Sequence, residues 1–127
     1  MLGILSCLTF LGAFLSTSKT SVSAEGKILR HVVLFKFKDT ATPAQIRQVE
    51  DAFRSLPGKI SEVKTFEWGT NVSPENLAQG FTHCFLLSFS SDKDRDAYLV
   101  HPAHKEFVTI LQPVVDKVTV IDYWAQQ

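Results

Sequence analysis

The sequence predicts an α+β fold of the ferredoxin-like type, with one four-stranded antiparallel sheet and its helices packed on one face. Two observations lead to this fold class. Four segments carry the apolar residues typical of β-strands, and the two longest intervals between them repeat apolar residues with helical spacing. The resulting order, β-α-β-β-α-β, is that of the split βαβ arrangement, and the chain has the length of a single compact domain.

The first strand and the first helix have the clearest local signals. The strand is predicted from Arg30 to Lys38, and apolar residues on both of its faces indicate that both are covered. Thr42 then supplies a helix N-cap, Pro43 stands at the first helical position, and Gln45 completes a capping box. An amphipathic stripe follows for three turns, and Pro57-Gly58 is predicted to end the helix.

The second and third strands are predicted over Glu62–Gly69 and Phe81–Ser90, and a polar loop joins them. The third strand alternates most regularly, with His83 and Phe85 on one face and Cys84 on the other. Cys84 is the only cysteine beyond the first 24 residues, so packing or association rather than an internal disulfide must stabilise the domain.

A second helical region is predicted from Ser91 through Val100, followed by a break at His101-Pro102 and a helix over residues 102–112. The last strand is predicted over Val114–Trp124. In the helix after the break, His104 shares one face with apolar residues at the third, fourth and seventh following positions. A titratable ring is therefore directed at the core, either as a hydrogen-bonded core histidine or as a reactive group.

One face of the predicted sheet has no helix of its own to cover it. That face carries Val32, Leu34, Cys84 and Leu86, which is too apolar for contact with water. A second copy packed sheet against sheet would cover this face, and two-fold dimers are the commonest oligomers. The sequence therefore predicts a homodimer.

The first 24 residues are predicted to be a signal peptide, with an apolar run, a small polar stretch and cleavage after Ala24. Residues 25–127 would then form a secreted or periplasmic domain, and a membrane is a partner only if the leader stays uncleaved. The chain carries no net charge and no basic stripe, so we expect no nucleic-acid partner.

Five short segments carry a family likeness, and they span about residues 29–125. They are His31–Lys38, Trp68-Gly69, Gly80–His83, Tyr98–His104 and Asp122-Tyr123. Together they resemble the stress-responsive dimeric α+β barrel (Dabb) family. The resemblance implies a dimer in which two four-stranded sheets close into a barrel with the helices outside.

The resemblance also implies a candidate site. A plant polyketide cyclase of the family closes its substrate by an aldol reaction without metal or organic cofactor. Its catalytic tyrosine and histidine correspond to Tyr98 and His104, and two further pocket histidines correspond to His31 and His83. Phe53 stands where that cyclase has a pocket tyrosine. Phe66 likewise replaces a pocket valine, so the polyketide substrate is not carried over.

The residues themselves suggest a cleft between the sheet and the helices. His104 would serve there as a general base, and Tyr98 would hold the ring or donate a hydrogen bond to a substrate oxyanion. Two further imidazoles, those of His31 and His83, are expected to join His104 in this cleft. Four phenylalanines are expected to form its walls: Phe35, Phe53, Phe66 and Phe85.

Two functions follow from this cleft. In the first, the domain binds a small, largely apolar molecule and performs cofactor-independent acid/base chemistry of the lyase or cyclase type. In the second, it is a non-catalytic dimeric barrel with a structural or stress-response role. A metal site at His101 and His104 would lack nearby carboxylates or thiols, so no metal is expected. His101 itself is expected to cap the turn before Pro102.

Overall fold

Seven elements make up residues 26–126, the part of the chain that the computed structural model describes; the predicted leader, residues 1–24, lies outside it. In chain order they are β1 (Leu29–Phe37), α1 (Pro43–Lys59), β2 (Thr65–Thr70), β3 (His83–Phe89), α2 (Asp92–Val100), α3 (Pro102–Leu111) and β4 (Val115–Trp124). The strands form one antiparallel sheet in the order β2-β3-β1-β4. The ferredoxin-like α+β fold is therefore confirmed.

The core lies between the sheet and the helices. Along β1 every second side chain is buried, from Leu29 to Phe37, and β3 buries its own alternate positions from His83 to Phe89. Val49, Phe53 and Leu56 of α1 cover these positions. No helix within residues 26–126 is both long and apolar enough to cross a membrane.

The start of α1 follows the sequence prediction, and its end does not. The Thr42 hydroxyl accepts the Gln45 N–H at 3.2 Å, and the Gln45 side chain accepts the Thr42 N–H at 2.9 Å, which completes the capping box. The predicted stop at Pro57-Gly58 is wrong, because the helix continues through both residues to Lys59. Leu56 and Ile60 are fully buried there, and this burial outweighs the hydrogen bond that the proline cannot donate.

β2 and β3 both begin later than predicted. β2 starts at Thr65 rather than Glu62, because Val63 donates its N–H to Ile60 in a turn that buries the valine side chain. β3 starts at His83 rather than Phe81, whose N–H bonds to the Ala78 carbonyl at 3.0 Å and closes the preceding loop. Val63 and Phe81, whose apolar character predicts strand, therefore belong to local turns instead.

The outer face of the sheet, opposite the helices, carries the apolar residues that the sequence placed there. Val32, Leu34 and Leu86 are only half-buried on this face, and Cys84 is exposed on it, opposite in direction to His83. β4 extends the surface with Ile121, which is 53% exposed and pairs with Val32. No helix of the described chain covers this face.

Candidate functional site

A cavity of about 380 Å³ lies between the sheet and helices α2 and α3. We call it the helix-side cavity. Its apolar wall includes Val33, Phe35, Phe53, Phe107 and Leu111. Its polar groups include His31, Tyr98, His104 and Asp122. An apolar cavity with a few polar groups is the usual form of a small-molecule site, and this volume is at the small end of the range.

His104 reaches the cavity from the first turn of α3, which begins after the break at His101. Its Nδ1 lies 3.1 Å from the Leu99 carbonyl oxygen and donates its proton to it, since a carbonyl can only accept. In the neutral ring Nε2 then carries a free lone pair. Burial lowers the pKa of His104, the Leu99 carbonyl acts in the opposite direction, and nearby His31 lowers the pKa further.

We expect the free energy of unfolding to fall as the pH is lowered just below 6.5, the ordinary pKa of histidine. The folded His104 ring takes up its proton only at lower pH, so the unfolded state binds more protons in this window and stability rises with pH. His104→Gln should reduce this pH dependence. Urea unfolding of both proteins at about pH 7.5 and about pH 5.5 measures the difference. Equal pH dependence in both proteins would contradict the expectation.

Tyr98 lies at the centre of the polar end of the cavity. Its ring centroid is 4.6 Å from that of His104 and 5.7 Å from that of His31. The side chain is fully buried, and among residues 26–126 its hydroxyl is the one buried side-chain polar atom without a hydrogen-bond partner. Burial raises the pKa of Tyr98 well above its ordinary value, so the hydroxyl keeps its proton. It is a buried donor without an acceptor, on a ring that packs against two imidazoles.

His31 is fixed by the carboxylate of Asp122. Its Nδ1 lies 2.6 Å from Asp122 Oδ1, and the other oxygen of Asp122 accepts from Arg95 Nη1 at 2.6 Å. His31 is buried, while the Asp122 side chain is 25% exposed. Because an ionised carboxylate only accepts, His31 Nδ1 carries a proton, and in the neutral ring Nε2 is then left with a lone pair.

Asp122 and Arg95 were missed as site residues, although a signal for Asp122 exists. Asp122 pairs directly with His31 in the register of β1 and β4, two positions after Val120 on the cavity face. A single acidic residue among the valines of this strand face could have indicated a partner. Arg95, on α2, has no comparable signal in the sequence.

His83 does not join the helix-side cavity, so the expected meeting of three imidazoles is wrong for this residue. His83 pairs with Phe35 while His31 pairs with Leu87, so the two rings are four strand positions apart. Four positions correspond to about 13 Å. Sharing a sheet face does not bring residues together when they lie at opposite ends of paired strands.

The four expected aromatic walls divide into two pairs. Phe35 and Phe53 line the helix-side cavity, whereas Phe66 and Phe85 do not. Phe85 is fully buried behind Phe53, with ring centroids 4.2 Å apart, and Phe66 packs against Phe53 at 5.7 Å. These two residues support the wall from the core and do not line the cavity.

His101 caps α3, as the sequence predicts. Its Nδ1 accepts the Ala103 N–H at 3.0 Å, while His104 Nδ1 is bonded to Leu99. The two rings therefore serve different backbone groups. Within residues 26–126, no group of three histidine, cysteine or acidic side chains is arranged to hold a metal ion.

Sequence comparisons connect this chain to known proteins. Residues 29–125 match the family described as Stress responsive A/B Barrel Domain. A stress-response A/B barrel domain-containing protein of Arabidopsis thaliana is 44% identical over 100 residues, covering 79% of this chain and 91% of that protein. Olivetolic acid cyclase of Cannabis sativa is 30% identical over 95 residues, covering 75% of this chain and 94% of the cyclase.

Solved structures agree with these relationships. Hydroxynitrile lyase from Passiflora edulis superimposes with a TM-score of 0.75 at 30% identity, covering 80% of this chain and 95% of the lyase. A protein of unknown function from Thermobifida fusca, described as dimeric and ferredoxin-like, superimposes with a TM-score of 0.68 at 27% identity. That match covers 80% of this chain and 93% of the other protein.

Proposed function

The chain belongs to the stress-responsive A/B barrel domain family, and we propose that it binds a small, largely apolar molecule in the helix-side cavity and performs acid/base chemistry on it without a cofactor. The observation that carries this proposal is the buried, unpartnered hydroxyl of Tyr98 beside His31 and His104. A buried donor without an acceptor costs stability. A ligand oxygen placed in the cavity would supply the missing acceptor.

The two catalytic roles belong to Tyr98 and His104. Neutral His104, with its proton held on Nδ1 by Leu99, accepts a proton at Nε2. Tyr98 donates a hydrogen bond to the oxygen on which negative charge develops. His31 binds the same polar end of the ligand, and the Asp122 carboxylate stabilises positive charge that reaches its ring.

Two relatives support chemistry at a carbon that bears oxygen. One is named a cyclase of olivetolic acid and the other a lyase of hydroxynitriles. Hydroxynitrile cleavage requires a base to remove the hydroxyl proton, after which the carbonyl forms, the carbon–carbon bond breaks and cyanide leaves to take up a proton. His104 is the proposed base, and Tyr98 holds the oxygen throughout.

The proposal is tested with mandelonitrile, an aromatic hydroxynitrile whose cleavage releases benzaldehyde and is followed by absorbance. We expect cleavage by the full chain, and we expect His104→Gln to reduce it by about 100-fold or more, the range that general-base removal gives. Native mass spectrometry of the purified protein would show in parallel whether a small molecule has been carried through purification.

His101→Asn is the matched control, because asparagine keeps a capping acceptor at the start of α3 and His101 does not line the cavity. This variant should retain cleavage. Equal cleavage by His104→Gln and His101→Asn would contradict the assigned base. Absence of both cleavage and any bound molecule would favour the alternative, a non-catalytic barrel with a structural or stress-response role.

We propose in addition that the chain is a homodimer joined through the outer face of the sheet. Structural neighbours are described as dimeric ferredoxin-like proteins, and the outer face offers Val32, Leu34, Leu86 and Ile121 without a covering helix. Leu86→Arg places a charge in the middle of that face and is expected to yield monomer in native mass spectra, where the unaltered chain gives dimer. A dimer that survives Leu86→Arg unchanged would argue for a different interface.

We propose finally that residues 1–24 direct export, which would place the domain outside the cell or in a periplasm. The support is the apolar run followed by small residues up to Ala24. A mass beginning at Glu25 in the protein from its own host would agree with cleavage.

A further inference from the structure

The polar end of the helix-side cavity is bounded by a series of contacts that begins and ends on α2. Arg95 Nη1, on α2, donates to Asp122 Oδ2 on β4 at 2.6 Å, and Asp122 Oδ1 accepts from His31 Nδ1 on β1 at 2.6 Å. The His31 ring in turn packs edge-on against Tyr98, with ring centroids 5.7 Å apart. Tyr98 follows Arg95 by three residues, so both lie on one face of α2. Arg95 therefore reaches the imidazole beside Tyr98 through a single carboxylate.

Arg95 is held in place rather than extended into water. Its side chain is 22% exposed, and its Nε donates to Asp96 Oδ1 at 2.8 Å, so the guanidinium is fixed at two points. Hydrogen bonds to Asp122 and Asp96 raise the pKa of Arg95, which therefore stays charged. Arg95 does not line the helix-side cavity, whereas Asp122 does. Any effect of Arg95 on a ligand must then pass through Asp122.

Asp122 uses both of its oxygens, one for β1 and the other for α2. Its side chain is 25% exposed, so water is within reach of the carboxylate. Without the guanidinium, the carboxylate would keep one bond to an uncharged ring and would be free to turn toward solvent. Arg95 therefore fixes the carboxylate at the position where it accepts from His31 Nδ1.

Arg95 also balances the charge that Asp122 places beside His31. An unbalanced carboxylate next to an imidazole favours the doubly protonated, charged ring. The other titratable groups around His31 are Tyr98 on α2 and His104 on α3. Tyr98 keeps its proton, and burial lowers the pKa of His104, so neither carries positive charge at neutral pH. Arg95, bonded to the same carboxylate, supplies that charge.

We propose that Arg95 is a positioning residue of the helix-side cavity, which acts through Asp122 to keep His31 uncharged and its ring fixed. The inference rests on the proposed function, in which His104 accepts a proton close to His31. A positive charge on His31 would oppose that step, because a charged ring disfavours a second charged ring nearby. An uncharged His31 leaves His104 as the group that takes up the proton.

The first test needs no turnover and uses the full chain labelled with nitrogen-15. Proton–nitrogen correlation spectra distinguish protonated from unprotonated ring nitrogens, and His31→Gln identifies the His31 signals. At about pH 7 we expect a proton on Nδ1 alone in the unaltered chain, and a proton on Nε2 in Arg95→Met. Arg95→Lys keeps the charge and should keep Nε2 unprotonated in most molecules.

Arg54→Met is the matched control. Arg54 lies on α1, is exposed, and bonds to Asp51 at 3.4 Å rather than to a residue of the cavity. Its replacement removes the same charge from the chain and should leave the His31 signals and cleavage as they are in the unaltered protein.

The second test follows mandelonitrile cleavage by the same chains, with the uncatalysed rate subtracted. Arg95→Met should lower kcat/KM by about tenfold or more at about pH 6.5, and by less at about pH 8, where the extra proton leaves His31. Arg95→Lys should restore most of the loss at the lower pH. A purely structural role of Arg95 would instead lower cleavage equally at both pH values.

The two tests separate failure of this inference from failure of the proposed function. The same His31 signals in Arg95→Met and the unaltered chain would overturn the inference, and so would an equal loss of cleavage at both pH values. Altered His31 signals in a protein that cleaves no hydroxynitrile would support the action of Arg95 on His31 and would count against the proposed function instead.

Discussion

Replacing Tyr98 with phenylalanine is expected to make the protein more stable and less active. The change removes a hydroxyl that is buried without a partner and leaves the ring contacts with His31, Phe89 and His104 in place. Relief of an unsatisfied buried donor should raise the free energy of unfolding by about 1 kcal/mol. Loss of the oxyanion donor should lower kcat for mandelonitrile by about 100- to 1,000-fold.

Urea unfolding and the cleavage assay on the same preparations measure both effects. Tyr123→Phe is the matched control for cleavage, because this tyrosine does not line the helix-side cavity and its replacement should leave kcat unchanged. Higher stability with unchanged cleavage would remove Tyr98 from the chemistry. Lower stability would mean that the hydroxyl has an acceptor in solution, and the observation behind the proposed function would be lost.

The expected gain in stability and loss of activity matter because, together, they distinguish a ligand-binding role of Tyr98 from a structural one. Altering a residue that serves only packing lowers the stability of the protein. A polar group that binds a ligand, in contrast, finds its hydrogen-bond partner only when that ligand is present. Tyr98 is buried with an unmet hydrogen bond in the ligand-free protein. Binding should therefore offset a cost that the free protein carries.

Much of the fold could be predicted because its signals are local. The alternation in Arg30–Lys38, the capping box at Thr42 and the proline after His101 each depend on residues within one or two turns of each other. The errors at Pro57, Glu62 and Phe81 share another cause. At each position, burial or a turn that forms only in the folded domain outweighed the local preference.

The candidate site was predictable only to the extent that its residues are neighbours in sequence. Tyr98 and His104 flank one helix break, so their proximity follows from the chain itself. Asp122 contacts His31 across 91 residues, and its role depends on the register of β1 against β4, which composition does not reveal. For His83, the predicted face of the sheet was correct, but the pattern did not show how far along the strands His83 lies from His31.

Phe53→Ala is expected to cause the largest loss of stability, about 3–5 kcal/mol in the free energy of unfolding. Phe53 is 1% exposed, and its ring lies within 4.2–6.0 Å, centroid to centroid, of four other phenylalanine rings. Removing it leaves a void that these rings cannot fill without giving up their own contacts. Such a loss is a large part of the 5–15 kcal/mol of stability that is typical of a domain.

Two further variants show whether the loss comes from the aromatic cluster. Val72→Ala, at a site 91% exposed, should leave the urea midpoint unchanged. Phe53→Leu keeps most of the buried volume and should cost less than Phe53→Ala, while it widens the helix-side cavity that Phe53 lines. KM for a hydroxynitrile bulkier than mandelonitrile should then fall relative to that for mandelonitrile. If Phe53→Ala lowered the free energy of unfolding no more than Val72→Ala does, the aromatic cluster would not be a main source of stability. The wall of the helix-side cavity would then have to be held in place by another part of the fold.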